Sequence, residues 1–337
     1  MKRFAHLTVP AWIARTLVAI GLLGIAPACL GQDVAAAAGY PTKPVRLVVG
    51  FPPGTSTDIV ARTVAEALHK RFEQPFVVEN RPGANGMLAA EQVARSAPDG
   101  YTVLFTNTSA ITLNPLVYKN LRYDVNEDFA PVTTVISVPA LLLVSTGNPR
   151  LGAVKSVAEL VAAGKTGTPL TYASLGNGNL FQLAGAELSL AAGIESLHVP
   201  YRAGLVSTAL LGNEVDFTFD TLAALPQVRN GRLRALGVTS GTRWRELPDV
   251  PTLEEAGYPM LRYDLWTGVM APKGTPPAIL DTLYREIAAA ARTAEAMARL
   301  TTLGDVLTMP PAQFADAIRR DLDRNAAAVK RTGITAN

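Results

Sequence analysis

The sequence predicts an α/β protein made of two open sheets with a binding cleft between them. Three observations carry this reading. Short β-rich runs alternate with segments of helical periodicity through most of the chain. The alternation falls into two series, separated by the turn Gly147-Asn148-Pro149. In each series a glycine-bearing loop with hydroxyl or amide side chains stands between strand and helix, where open α/β sheets receive ligands. The chain has 337 residues, 48% hydrophobic and 18% charged. That supports two folded units and excludes a disordered chain.

The first series begins with a strand at Val45–Gly50 (VRLVVG). A helix follows over Thr57–Arg71, with Val60, Val64, Ala67 and Leu68 on one face. Phe76–Glu79 reads as strand, closed by the turn Asn80-Arg81-Pro82-Gly83. Met87–Arg95 reads as helix and Thr102–Thr106 as a third strand. This β-α-β-α-β order implies a parallel sheet with right-handed crossovers. Val138–Val144 (VPALLLV) reads as a long strand leading out of the series.

The second series has strands at Leu170–Ala173, Leu197–Pro200, Val215–Asp220 and Leu233–Thr239. Helices are expected over Asn179–Ala192, Leu205–Leu211 and about Leu222–Arg229. Residues 240–262 read as irregular, and Leu265–Ala271 as one more strand. Two helices close the chain, one lined by Ile279, Leu283 and Ile287, the other by Phe314, Ile318 and Leu322.

The first 38 residues read as a secretory leader. Lys2, Arg3 and Arg15 precede the apolar run Leu17–Ala28, and small residues follow at Ala26-Pro27-Ala28 and Val34–Ala38. The run is too short to span a bilayer as a helix. Cys29 follows a small residue, so a lipid anchor there is a second option, although Ala26 stands where a lipoprotein signal carries leucine. Cleavage removes Lys2, Arg3, Arg15 and Asp33, which brings the formal charge of +3 close to neutrality. A nearly neutral chain lacks the footprint of a nucleic-acid binder. One cysteine excludes a disulfide framework and a cysteine cage for metal, and three histidines argue against a histidine-rich metal site.

Four loops are candidate ligand contacts: Phe51–Asp58, Asn107-Thr108-Ser109, Ser174–Asn179 and Tyr201–Gly204. The first and third combine glycine with hydroxyls or amides just before a helix, an arrangement that favours an anion such as a carboxylate. The bland alternative makes Ser56, Thr57 and Asn179 ordinary helix caps. Asp220 ends a strand where it meets either a ligand cation or a turn, and Arg202 offers a fork for a carboxylate or for a surface ion pair. Ser174, His198 and Asp220 would suit a hydrolase only if they touch. Trp266 reads as core or hinge packing.

These runs resemble the periplasmic solute-binding receptors of tripartite tricarboxylate transporters, the Bug receptors. The matching segments include YPTKPVRLVVGFPPGTSTDIVAR, VVENRPGANG, APDGYTVLFTN, YASLGNGNLFQLAGAEL, HVPYRAG, LLGNEVDFTFD and WTGVMAPKGTPP, in order from Tyr40 onward. The resemblance implies a two-lobed periplasmic-binding-protein fold of type 2, with the ligand held between lobes joined by two crossing strands. It implies one lobe from residues 41–141 plus 264–337 and another from 142–263, with the crossings at Val138–Val144 and Leu265–Ala271. It also implies a small organic carboxylate as ligand, membrane transporter subunits as partners, a periplasmic location, no cofactor and no catalysis. A monomer is expected. The expected ligand contacts are Phe51, Gly54, Thr55, Ser56, Thr57, Asn107, Thr108, Ser174, Gly176, Asn177, Gly178, Tyr201, Arg202 and Asp220. A sensor subunit for a signalling receptor is an alternative role, and a periplasmic hydrolase a further one.

The chain departs from the family's pattern at several positions. Gly50 stands where proline is usual, Thr55 where a second glycine is usual, and Arg202 where lysine is common. Asn85-Gly86-Met87 replaces a glycine–glycine–asparagine run, and Asn325 stands where tryptophan is frequent. The added bulk and hydroxyl of Thr55 are expected to narrow the ligand range, and Asn325 to affect packing alone.

Overall fold

The computed structural model describes residues 39–201 and 205–336. The expected leader with Cys29, and Arg202 with Ala203 and Gly204, lie outside the described residues. The first series folds as β1 (Val45–Val49), α1 (Ser56–Phe72), β2 (Phe76–Asn80), α2 (Met87–Ala94) and β3 (Thr102–Asn107). β1 lies between β2 and β3 and runs parallel to both. Val60, Val64 and Leu68 seat α1 on this sheet and are essentially unexposed. The helix stops at Glu73, which takes a left-handed φ of 56° while its N–H closes on His69 O. His69, Lys70 and Arg71 in the last turn suit the negative end of the helix dipole.

Two short helices follow, α3 (Thr108–Thr112) and α4 (Asn114–Val117), and then β4 (Phe129–Val138). The single strand expected over Val138–Val144 is in fact two. β4 ends at Val138, and β5 (Leu141–Ser145) belongs to the other sheet. Pro139 sits at the break, since it has no N–H to continue a ladder. The remaining elements are α5 (Val157–Gly164), β6 (Leu170–Ser174), α6 (Leu180–Ala192), β7 (Ser196–Pro200), α7 (Val206–Leu211), β8 (Phe217–Asp220), α8 (Leu225–Arg229) and β9 (Leu233–Val238). After the irregular segment come β10 (Leu265–Pro272), α9 (Pro277–Ala291), α10 (Ala294–Leu300), β11 (Asp305–Val306) and α11 (Pro311–Thr332).

The strands form two sheets, ordered β11-β4-β10-β3-β1-β2 and β7-β6-β8-β5-β9. The chain passes between them twice, at Pro139-Ala140 and again before β10. A knot of hydrogen bonds ties the two passages: Ala140 N–H donates to Thr239 Oγ1 at 2.9 Å, Thr239 Oγ1 to Tyr263 O at 3.0 Å, and Tyr263 N–H to Thr239 O at 3.0 Å. Register fixes what faces this crossing. Val138 pairs with Leu265 and Asn107 with Thr267 in one sheet, while Leu141 pairs with Asp220 and Val238 in the other. The carboxyl ends of β1 and β3, and those of β6, β7 and β8, therefore open toward the crossing from opposite sides.

The closing helix α11 serves both cores. Phe314 and Ile318 pack beside Trp266 and Leu104 of the first sheet, and Ala328 beside Leu113, Val117 and Leu183 of α6. Asn325, fully buried, donates from Nδ2 to Thr112 O at 3.2 Å and to Thr112 Oγ1 at 2.9 Å. It thereby joins α11 to α3 by a specific bond. Among the described residues no helix is long and apolar enough to cross a membrane.

Candidate functional site

The first loop leaves β1 at Gly50. A β-carbon there would come within 2.6 Å of Gly86 Cα, so the position tolerates no side chain without a backbone shift. Gly50 and Asn85-Gly86, two of the departures from the family's pattern, are thus neighbours in space. The half-buried Phe51 ring also lies against Gly86. Gly54 bends the chain at φ 82°, and Thr55 Oγ1 turns back to donate to Pro52 O at 2.8 Å.

Thr55 is therefore the residue at the cap position of α1, yet its side chain makes no cap bond. Ser56 and Thr57 do not cap either. Among the described residues the N–H groups of Ser56, Thr57 and Asp58 have no acceptor, and the Ser56 and Thr57 hydroxyls no partner. A helix end left open in this way is a ready receiver for an anion. Gly54 differs from the expectation. Its N–H is already engaged, donating at 2.9 Å to Asp58 Oδ2. Asp58, 2% exposed, also accepts from Asn80 Nδ2 at 2.8 Å and Arg62 Nε at 3.0 Å. Burial pushes the Asp58 carboxyl up, but the bonds from Arg62, Asn80 and Gly54 outweigh it and hold the group below the usual range.

The third loop is built the opposite way. Asn179 caps α6, its Oδ1 accepting from Phe181 N–H at 2.9 Å and Gln182 N–H at 3.2 Å. Leu180 N–H donates to Ser109 Oγ at 3.1 Å, and Gly178 N–H to Gln182 Oε1 at 2.7 Å. The start of α6 is saturated by protein groups, so the plain capping role holds for Asn179. Gly178 is no open contact. It is buried, its O accepts from Asn85, and a β-carbon on it would meet Ala336, Tyr118 and Val117 at 2.8–3.1 Å. A β-carbon on Gly176, at φ 105°, would meet Tyr201 O at 3.9 Å, an ordinary contact with no clash. Leu175 and Asn177 are exposed. The tip Leu175–Asn177 is the part of this loop free to meet a ligand.

Other expected contacts are committed to the scaffold. Thr108, 1% exposed, accepts from Trp266 N–H at 2.7 Å and donates to Trp266 O at 3.2 Å, which pins α3 to β10. Asn107 Oδ1 caps α3 through Ala110 N–H at 3.3 Å. Tyr201 donates to Glu214 at 2.9 Å from its hydroxyl and to Ser174 O at 2.9 Å from its N–H.

Ser174 Oγ lies 2.6 Å from His198 Nε2, one strand over in register with Tyr172. The third hydrolase member does not join them. Asp220 accepts instead from Ser207 Oγ at 2.6 Å and Thr221 N–H at 2.7 Å, and burial pushes its carboxyl up. Ser174 has no exposed surface and also touches Gly176 O and Asn179 Nδ2. Burial lowers His198 to about 4, which makes it a poor base. The pair holds a loop in shape and does not present a nucleophile.

A groove of about 440 Å³ lies among Ser137, Pro139, Gly241, Trp244 and Asp305, between the β11–β4 edge of one sheet and the segment after β9 of the other. None of the loop residues above lines it. Across it Arg245 pairs with Asp305. Among the described residues no cluster of histidine, cysteine and acidic side chains is placed to hold a metal ion.

Residues 60–334 match the model of the tripartite tricarboxylate transporter family receptor. The chain belongs to that family. BugT of Bordetella pertussis is 35% identical over 326 residues, which cover 95% of this chain and 98% of BugT. Among solved structures, Rpa4515 of R. palustris with adipate has a TM-score of 0.80 at 32% identity, covering 88% of this chain and 99% of that one. MatC from Rhodopseudomonas palustris with bound malate has a TM-score of 0.77 at 31% identity, covering 86% of this chain and all of MatC. The periplasmic binding protein BugD also gives 0.77, at 32% identity. The two sheets are accordingly the two lobes of this receptor fold.

Proposed function

We propose that this receptor captures a small organic carboxylate between its lobes and delivers it to a tripartite tricarboxylate-type transporter in the membrane. Residues 41–141 with 264–337 form one lobe in this reading and 142–263 the other, and the leader exports the chain to the periplasm. The observation that carries it is the open start of α1, where three N–H groups and two hydroxyls lack partners among the described residues beside the crossing. Those groups suit a carboxylate oxygen, and the dipole of a 17-residue helix adds to the attraction. Adipate and malate, found in two related structures, are both carboxylates. Capture needs no bond making. Closure follows from tighter binding to the closed than to the open arrangement.

The test compares adipate and malate with their neutral amides by calorimetry and thermal shift. Acids that bind while amides do not support the proposal, and equal binding of both overturns it. The hydrolase alternative is disfavoured, because Ser174 touches His198 but has no exposed surface, and Asp220 is engaged by Ser207 and Thr221. An ester-cleaving activity abolished by Ser174→Ala would establish it.

A further inference from the structure

The turn between β2 and α2 has four successive residues with positive φ: Gly83 at 147°, Ala84 at 45°, Asn85 at 51° and Gly86 at 85°. Glycine adopts such angles freely, whereas alanine does so only against steric resistance. Backbone of this kind persists where the surroundings over-determine it. Here Asn85 does so. Its side-chain Nδ2 lies 2.8 Å from Asn114 Oδ1, 2.9 Å from Gly178 O and 3.1 Å from Ser109 Oγ, and its two protons serve two of these at a time. Its backbone O accepts from Asn114 Nδ2 at 3.2 Å, and Asn114 is fully buried.

Gly178 belongs to the second sheet's loop, so this one side chain spans from the β2–α2 turn to the start of α6. Ser109 doubles the link, because the hydroxyl that Asn85 approaches also accepts from Leu180 N–H. On its other side the turn touches the first loop, through the Gly50–Gly86 approach and the Phe51 ring. One turn therefore contacts both loops that the carboxylate reading assigns to the ligand.

We propose that Asn85 is a positioning residue that sets the Ser174–Asn179 loop against the start of α1, so that N–H groups from both lobes converge on one ligand. The proposal rests on the carboxylate reading above. Asn85→Gly keeps the positive φ and removes the donor. Asn85→Asp keeps the shape and replaces the donor with an acceptor facing two oxygens that cannot donate to it. Ala84→Gly relieves backbone resistance and leaves Asn85 intact.

Amide hydrogen exchange of the unliganded protein, read over residues 176–180, is the first measurement. Both Asn85 variants should exchange about tenfold faster there, the equivalent of one lost hydrogen bond. Ala84→Gly should exchange as wild type does. Affinity for adipate and malate is the second measurement. It should fall about tenfold in both Asn85 variants for whichever acid wild type binds, and stay level in Ala84→Gly. Unchanged exchange in both Asn85 variants overturns the proposal and leaves the carboxylate reading intact. Faster exchange with unchanged affinity shows instead that the loop does not serve the ligand, which overturns the proposal and leaves the carboxylate reading to the start of α1.

Discussion

Ser56→Pro isolates the α1 donors without disturbing the fold. Ser56 is the first residue of the helix, where proline is well tolerated because its missing N–H has no helical acceptor. Thr55 before it already has φ −72° and ψ 158°, the extended geometry that a following proline demands. The unliganded melting temperature should therefore stay near wild type. The ligand, by contrast, loses a hydrogen bond to a charged oxygen, worth about 1.5–3 kcal/mol. At about 100 times its dissociation constant, a carboxylate stabilises wild type by about 2.7 kcal/mol. With an unfolding entropy near 2.1 cal/mol/K per residue over roughly 300 residues, that is a shift of about 4 °C. At the same concentration the variant should keep only about 0.3–1.3 kcal/mol, a shift of roughly 0.5–2 °C. Thermal shift with adipate and malate, each against its amide, reads this directly. A variant that melts like wild type and keeps the full shift would place the carboxylate away from the start of α1. A variant that melts well below wild type would refute the claim that the position accepts proline.

His198 should titrate near pH 4 by NMR of its ring carbon, because burial disfavours its charged form. Its unfolded value is near 6.5, so between pH 6.5 and 4 the unfolded chain binds the extra proton and acidification weakens the fold; a midpoint near 6.5 would contradict the burial argument. Gly178→Ala should cost about 1–3 kcal/mol, or roughly 2–5 °C, from its φ of 71° and from contacts with Ala336 and Tyr118. An unchanged melting temperature would mean that the 333–336 segment yields freely. Intact mass of the exported protein should place its N-terminus between Cys29 and Gly39, and full-length chain held in the cytoplasm of its natural host would remove the export proposal.

Much of the fold was legible in residue order because strand and helix signals are local. Val45–Val49, Phe76–Asn80 and Leu170–Ser174 announce themselves by β-rich runs, and Ile279, Leu283 and Ile287 by helical spacing. β4 escaped notice because Pro131 and two threonines interrupt its pattern. It tolerates the proline because β11 pairs only with Ser137 and Ile136, which leaves that edge free. α5 carried a readable signal, the Ser156-x-x-Glu159 start, where Ser156 Oγ accepts from Glu159 N–H at 3.2 Å.

At the site the division is sharper. Composition and order alone determined two lobes and two glycine loops at strand ends, since both follow from short-range patterns. Two similar loops gave no hint that one helix start is open and the other sealed. That depended on which local partners formed, Asp58 taking the Gly54 N–H and Gln182 the Gly178 N–H, and on Ser109, 71 residues away in the chain, reaching the Leu180 N–H. Likewise Gly50, Asn85 and Gly86 read as unrelated departures along the chain. Only the tertiary structure made them one contact, because a close backbone approach and a side chain crossing between sheets leave no periodic trace in sequence.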